Sequence, residues 1–211
     1  MAIPPSAGPP LALPGFENIK RAWNQTFESY SARLNPGEYY VTKNDEGIYT
    51  TLGSCISACI RDRVSGIGGM NHFLLPASTG DGEWKDAGLS SSTRYGNFAM
   101  EHLINDIMKN GGVRQNLEVK LFGGGRMFAQ MTDVGMRNIA FAREYIKTEG
   151  LKVTSEDVGD VFPRMVVYFP ATGKVRVKRL RSFHNNVIVE QEKSYLSKIE
   201  EASVSGDIEL F

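Results

Sequence analysis

Thr50-Thr51-Leu52-Gly53-Ser54-Cys55, followed by the apolar run Ile56-Ser57-Ala58-Cys59-Ile60 and, past a turn, by Gly66-Ile67-Gly68-Gly69-Met70-Asn71-His72-Phe73-Leu74-Leu75-Pro76, is the stretch around which the chain is organised. It holds both cysteines and one of three histidines. Cys55 follows a small-residue bend, and His72 lies in a second apolar run. Strand–turn–strand geometry brings two such positions together easily, although 17 residues separate them. A thiol with an ordinary pKa near 8.5 is only a few per cent thiolate at neutral pH. An adjacent imidazole lowers that pKa and leaves a nucleophile ready to attack. Cys55 and His72 are therefore candidates for a nucleophile and its base. The competing reading is structural, because free cysteine is among the most buried residue types and a histidine within an apolar run is often a hydrogen-bonded core residue.

Working outward, Glu38 to Thr42 and Ile48 to Leu52 read as strands around the turn Asn44-Asp45-Glu46-Gly47. Ile56 to Arg61 and Ile67 to Leu75 are two more. Residues 77–94 form a long polar loop, a length that is usually functional in a compact domain. Tyr95 to Asn110 is the clearest helix. Met100, Leu103, Ile104, Ile107 and Met108 make its apolar stripe, His102 lies off it, and Gly111-Gly112 stops it. Leu117 to Phe122 is an apolar strand entering Gly123-Gly124-Gly125. A helix over Gly135 to Thr148 and strands at Lys152 to Thr154, Met165 to Phe169 and Val175 to Leu180 complete the pattern, with a short terminal helix from Ser194 to Ala202. Irregular alternation of strands and helices predicts an α/β fold, a layered sandwich with a mixed β-sheet flanked by helices.

The ends differ from the middle. Residues 1–15 carry Pro4, Pro5, Pro9, Pro10 and Pro14 and read as a flexible arm. Residues 16–35 read as an amphipathic helix, with Ile19, Trp23, Phe27 and Tyr30 at helical spacing, ended by Asn35-Pro36-Gly37. The main domain spans 36–181 and an extension occupies 182–211.

Composition excludes several classes. The 211 residues are 41% hydrophobic and 23% charged, with a formal net charge of zero. No broad basic surface for nucleic acid is indicated. No run of about 18 apolar residues suits a membrane span. Two cysteines make no disulfide framework, and the chain reads as cytoplasmic. Cys55 and Cys59 on one strand would stand about 13 Å apart, too far for a disulfide. Their spacing fits no common zinc motif, so no metal is expected. The glycine run Gly123-Gly124-Gly125 lacks the Lys-Ser/Thr of a phosphate loop and reads as a tight backbone passage that also supplies candidate N–H donors. No cofactor is indicated.

Several motifs in order carry a family resemblance: Thr51-Leu-Gly-Ser-Cys55, Gly68-Gly69-Met-Asn-His72-Phe-Leu-Leu-Pro76, Arg94-Tyr95-Gly96-Asn97, Phe122-Gly-Gly-Gly-Arg-Met-Phe128, Arg137-Asn138 and Glu156-Asp157-Val-Gly159. From about Pro36 to Leu180 the chain resembles the chemoreceptor glutamine deamidases, the CheD family of bacterial chemotaxis, in its proteobacterial form. The resemblance implies a layered α/β sandwich like that of bacterial toxin deamidases. It implies a Cys–His hydrolase that converts glutamine side chains of methyl-accepting chemoreceptor cytoplasmic domains to glutamate with release of ammonia. In some bacteria a chemotaxis phosphatase is a second partner. Cys55 would be the nucleophile and His72 the base, with backbone N–H groups around Ser54 and Cys55 holding the oxyanion. An upstream threonine completes the site in this family. Thr50 and Thr51 both precede the cysteine, closer to it than in the usual motif, and both stand as candidates. Two other readings use the same residues: a non-catalytic chemotaxis adaptor, and a cysteine peptidase that differs only in its leaving group.

Overall fold

The computed structural model describes residues 8–75, 91–126, 134–180 and 185–204. Its architecture follows from one strand, β5 (Ile56–Asp62), whose residues are buried on both faces. A strand of that kind needs a cover on each side. One face of its sheet meets helices and the other meets a second sheet. The β5 sheet has the order β3-β6-β5-β7-β8, from β3 (Tyr39–Thr42), β6 (Gly68–Asn71), β7 (Leu117–Gly123) and β8 (Lys152–Val158). The second sheet has the order β1-β2-β4-β9-β10, from β1 (Arg21–Asn24), β2 (Ser29–Arg33), β4 (Gly47–Leu52), β9 (Arg164–Phe169) and β10 (Lys174–Arg179). Both sheets are mixed: β7 pairs parallel with β8, and β2 with β4.

The helices α1 (Ser91–Lys109) and α2 (Val134–Thr148) lie against the β5 sheet. Met100, Leu103, Ile104 and Ile107 of α1 are buried as the helical spacing requires, whereas Met108 turns out toward solvent. His102 is exposed and stacks on Phe98 with ring centroids 3.9 Å apart. The opposite face of the β5 sheet shares one core with Ile48, Leu52, Val166 and Tyr168 of the second sheet. Polar stitches reinforce the stack. Arg61 Nη1 donates to the carbonyls of Pro170 and Ala171 (3.2 and 3.1 Å), and Lys120 Nζ to that of Gly173 (2.7 Å). The result is a layered α/β sandwich, with two mixed sheets where the sequence suggested one.

The helix expected over residues 16–35 is replaced by the β1–β2 hairpin. Trp23 and Tyr30 are cross-strand partners with rings edge-on at 5.3 Å, and the Asn24 side chain accepts the N–H groups of Thr26 and Phe27 at the turn. The apolar residues at helical spacing serve equally as hairpin pairs, and pairing of β2 along β4 decides between the two. The described end of the proline arm is laid on the domain. Leu13 and Phe16 are buried, and Phe16 meets the rings of Tyr39 and Tyr40 edge-on. The terminal helix α3 (Asn185–Val204) is longer than the sequence suggested. Most of the loop over 77–94, along with Met127 and Phe128, lies outside the described residues; 91–94 belong to α1.

Candidate active site

Gly53-Ser54-Cys55 is the crossover from one sheet to the other: β4 ends at Leu52 and β5 begins at Ile56. His72 follows the last residue of β6. The strand expected over Ile67 to Leu75 breaks there. Phe73 instead bridges to Ile56, and the His72 N–H and carbonyl are taken by Glu38 and Gly37 (2.9 and 2.7 Å). Cys55 on the crossover and His72 beside it are thus brought together. The Cys55 Sγ, a His72 ring nitrogen and a Glu192 carboxylate oxygen lie within 4.8 Å of one another, and all three residues are buried.

The two candidate threonines separate by strand alternation. Thr50 faces inward, 2% exposed, and its Oγ1 lies 2.7 Å from His72 Nδ1 and 2.8 Å from the Leu34 carbonyl oxygen. Thr51 is half-buried and lines a cleft of about 410 Å³ beside the site. The Leu34 carbonyl can only accept, so the Thr50 hydroxyl donates to it. The lone pair of that hydroxyl then receives Nδ1–H, which leaves Nε2 as the unprotonated nitrogen. Nε2 has no hydrogen-bond partner among the described residues. A buried base with a free lone pair thus sits beside the thiol.

Three successive carbonyls of the crossover are tied down from outside. Gly125 N–H donates to the Gly53 carbonyl (2.7 Å), Asn138 Nδ2 to that of Ser54 (2.8 Å), and Gly124 N–H to that of Cys55 (2.7 Å). A peptide plane fixed through its C=O has its N–H fixed in the opposite sense. The Ser54 and Cys55 N–H groups, joined by that of Gly53, therefore converge on one point and form an anion-holding nest. The glycine run acts here as a brace, its own N–H groups spent on the crossover. Its closeness demands glycine: Gly123 has φ +113°, and a Cβ there would run into the Cys55 carbonyl oxygen. Asn138 also accepts the Leu75 N–H through Oδ1 (2.9 Å), so one buried amide on α2 joins the segments after His72 and before Cys55.

The nest is filled by Glu192 of α3. One carboxylate oxygen accepts the N–H groups of Gly53 (2.9 Å) and Cys55 (3.1 Å). The other accepts the Ser54 N–H (2.9 Å) and Ser54 Oγ–H (2.6 Å). Burial raises the Cys55 thiol pKa well above its ordinary value, and the charge and hydrogen bonding of Glu192 push it the same way. Burial pushes the His72 imidazole down to about 4, although Glu192 and the Leu34 carbonyl pull the other way. In this arrangement the pair is neutral thiol and neutral imidazole. Cys55, His72 and Glu192 are also the ligand types of a metal site. The carboxylate, however, is engaged on both oxygens by four donors whose positive ends converge there, a surrounding that favours an anion over a cation.

Of the residues singled out in the sequence, the structure brings together Cys55, His72, Thr50 and Ser54; sequence reasoning missed Glu192 and the hydrogen bonds of Asn138. A signal for the former exists. Ile188, Glu192, Tyr195, Leu196 and Ile199 fall on one face of a helix whose other residues are largely polar, so the stripe carries a carboxylate at a core position.

Fold and site together define an α/β protein that has the groups of a cysteine hydrolase: thiol, oriented imidazole and convergent N–H donors. The chain belongs to the CheD family, whose model, described as CheD chemotactic sensory transduction, matches residues 74–179. Curated relatives extend the match through the site. A probable chemoreceptor glutamine deamidase CheD of Halorhodospira halophila is 53% identical over 96% of this chain and 94% of its own. A protein of the same description from Hahella chejuensis is 51% identical over 96% and 95%. A solved Neisseria meningitidis structure aligns with 62% of this chain and 64% of its own at 11% identity and a TM-score of 0.37.

Proposed function

We propose that this chain is a cytoplasmic protein-glutamine deamidase that converts glutamine side chains of chemoreceptors to glutamate through a thioester on Cys55. The observation that carries the reading is the Leu34–Thr50–His72 hydrogen-bond line, which leaves Nε2 free beside a thiol whose own N–H belongs to an anion nest. The relatives' description as probable chemoreceptor glutamine deamidases supplies the substrate class.

With a glutamine side chain in the nest, the carboxamide oxygen takes the place of a Glu192 oxygen. The Gly53, Ser54 and Cys55 N–H groups then stabilise the charge that grows on it. His72 Nε2 takes the thiol proton as sulfur attacks the carboxamide carbon. The same proton passes to the amide nitrogen, the C–N bond breaks and ammonia leaves. A water, deprotonated by Nε2, then attacks the thioester, and glutamate and the free thiol are released. Thr50 holds the ring in the required tautomer throughout. An adaptor that only docks has no use for a free base aimed at a buried thiol.

Peptide mass spectrometry of a purified receptor cytoplasmic domain tests this. Wild-type protein should add about one mass unit at particular glutamines without cutting the chain, and Cys55→Ala should not. Cleavage of the receptor would identify a peptidase. Binding without any mass change would identify an adaptor. No described helix is long and apolar enough to cross a membrane.

A further inference from the structure

Glu192 stands at the middle of the inward face of α3, flanked by Ile188 (7% exposed) and by the half-buried Tyr195 and Leu196. Burying a carboxylate in an apolar stripe is costly unless it is fully held. Here it is held by the donors of the crossover, and among the described residues no cationic side chain hydrogen-bonds to it. Those N–H groups are the ones a deamidation would need for its oxyanion, so the helix and a substrate cannot use them together. Glutamate and glutamine side chains also have the same length and branching. The carboxylate of Glu192 therefore lies where the glutamate formed by the reaction would lie. The neighbouring cleft runs along the same helix, lined by Val187, Ile188 and Gln191 on one side and Thr50, Thr51 and His72 on the other.

We infer that α3 is a built-in product mimic: Glu192 fills the side-chain subsite as a deamidated glutamine would, closing the site against substrate. Its surroundings describe the substrate that displaces it. The face accepts a helix carrying glutamine, with apolar residues four before and three and four after it, matching Ile188, Tyr195 and Leu196. This rests on the deamidase reading and adds the form in which the substrate arrives and the element with which it competes. Both oxygens of Glu192 meet donors, whereas a carboxamide offers one oxygen and one NH₂. The nest thus prefers product, and α3 holds the closed state more firmly than an unreacted glutamine would.

The decisive experiment makes the helix its own substrate. In Glu192→Gln the carboxamide enters the nest beside Cys55. The thiol adds to its carbon, ammonia leaves with the proton carried by His72, and water releases the carboxylate. The tryptic peptide 182–193 should be recovered about one mass unit heavier than the encoded amide. Fragmentation should place the change at position 192 and leave the exposed Gln191 intact. In Glu192→Gln combined with Cys55→Ala the amide should persist. Iodoacetamide labelling gives a readout that needs no turnover. Cys55 should be alkylated at least about tenfold faster in Glu192→Ala and in Ile188→Asp than in wild type, because opening of α3 exposes it. Buried Cys59 is the internal control. If the amide at 192 persists while receptor glutamines are converted, the mimic is refuted and the deamidase stands. If neither is converted, both readings fall. Unchanged Cys55 labelling in both variants also overturns the closed-site reading.

Discussion

Replacing Thr50 by valine keeps the shape of the side chain and removes the one atom that joins the Leu34 carbonyl to His72 Nδ1. Both partners are buried, so neither regains a bond from water. At about 1–3 kcal/mol for each buried group left unpaired, discounted for relaxation, Thr50→Val should lower the unfolding free energy by about 2–4 kcal/mol. A domain of ordinary stability survives that loss, so activity can be read on folded protein. The larger effect is on chemistry. Without the Oγ1 acceptor, Nδ1–H has no reason to stay on that side of the ring, and the base at Nε2 is populated and aimed less well. A positioned base is worth roughly 10²–10⁴ in rate, and loss of its orientation should cost about 10²-fold in kcat. KM for the receptor domain should change less than kcat, because the Thr50 hydroxyl is spent on the imidazole and the Leu34 carbonyl. Thr50→Ser restores the hydroxyl and should recover activity to within about threefold, and Thr51→Val should stay within the same range. Receptor deamidation rates from quantitative mass spectrometry, with urea midpoints as a fold control, decide it. Wild-type turnover in Thr50→Val, or an equal loss in Thr51→Val, would refute the tautomer argument.

Three further outcomes follow from the same geometry. Asn138→Leu removes the amide that ties the Ser54 carbonyl and the Leu75 N–H; it should cost about 2–4 kcal/mol in urea unfolding and lower kcat at least about tenfold as the Cys55 N–H loses its direction. Gly123→Ala meets both a positive φ and the Cys55 carbonyl, whereas Gly150 at φ +63° has open space around it; Gly123→Ala should destabilise by at least about 2 kcal/mol in thermal or urea unfolding, and Gly150→Ala by about 1 kcal/mol. His72, depressed to about 4 from its ordinary 6.5, makes folding sensitive to acid. Between those values the unfolded chain binds a proton that the folded chain refuses, so this stabilisation is complete above about pH 6.5 and is lost as pH falls toward 4, on the order of 3 kcal/mol in all. Urea midpoints followed across that range should show the slope in wild type and a flatter one in His72→Gln.

Much of the centre was legible because its chemistry is local. Cys55 follows a Gly-Ser bend, His72 ends an apolar strand, and the glycines at 123–125 announce a place where backbones touch. The choice between Thr50 and Thr51 was not legible, since strand alternation assigns them to opposite faces without saying which face meets the histidine. That depends on β4 lying in one sheet and β6 in the other, a tertiary fact. The hairpin at Arg21–Arg33 was misread as a helix for a related reason: Trp23 and Tyr30 satisfy a helical spacing and a cross-strand register alike, and only the partner strand β4 breaks the tie. Glu192 was hidden by distance, 137 residues from the Cys55 N–H it engages. Only the misplaced carboxylate in the α3 stripe hinted that this helix docks on something rich in donors.

The most direct measurement on Cys55 is to catch it in the act. A receptor cytoplasmic domain would be mixed with wild-type protein, in which His72 can form the thioester, then quenched in acid within the first turnover and digested. A Cys55 peptide joined to a receptor glutamyl side chain, cleaved by hydroxylamine and missing when Cys55 is alanine, is the expected product. Receptor glutamines converted at the wild-type rate by Cys55→Ala protein, with no such adduct at any time, would contradict the thioester route.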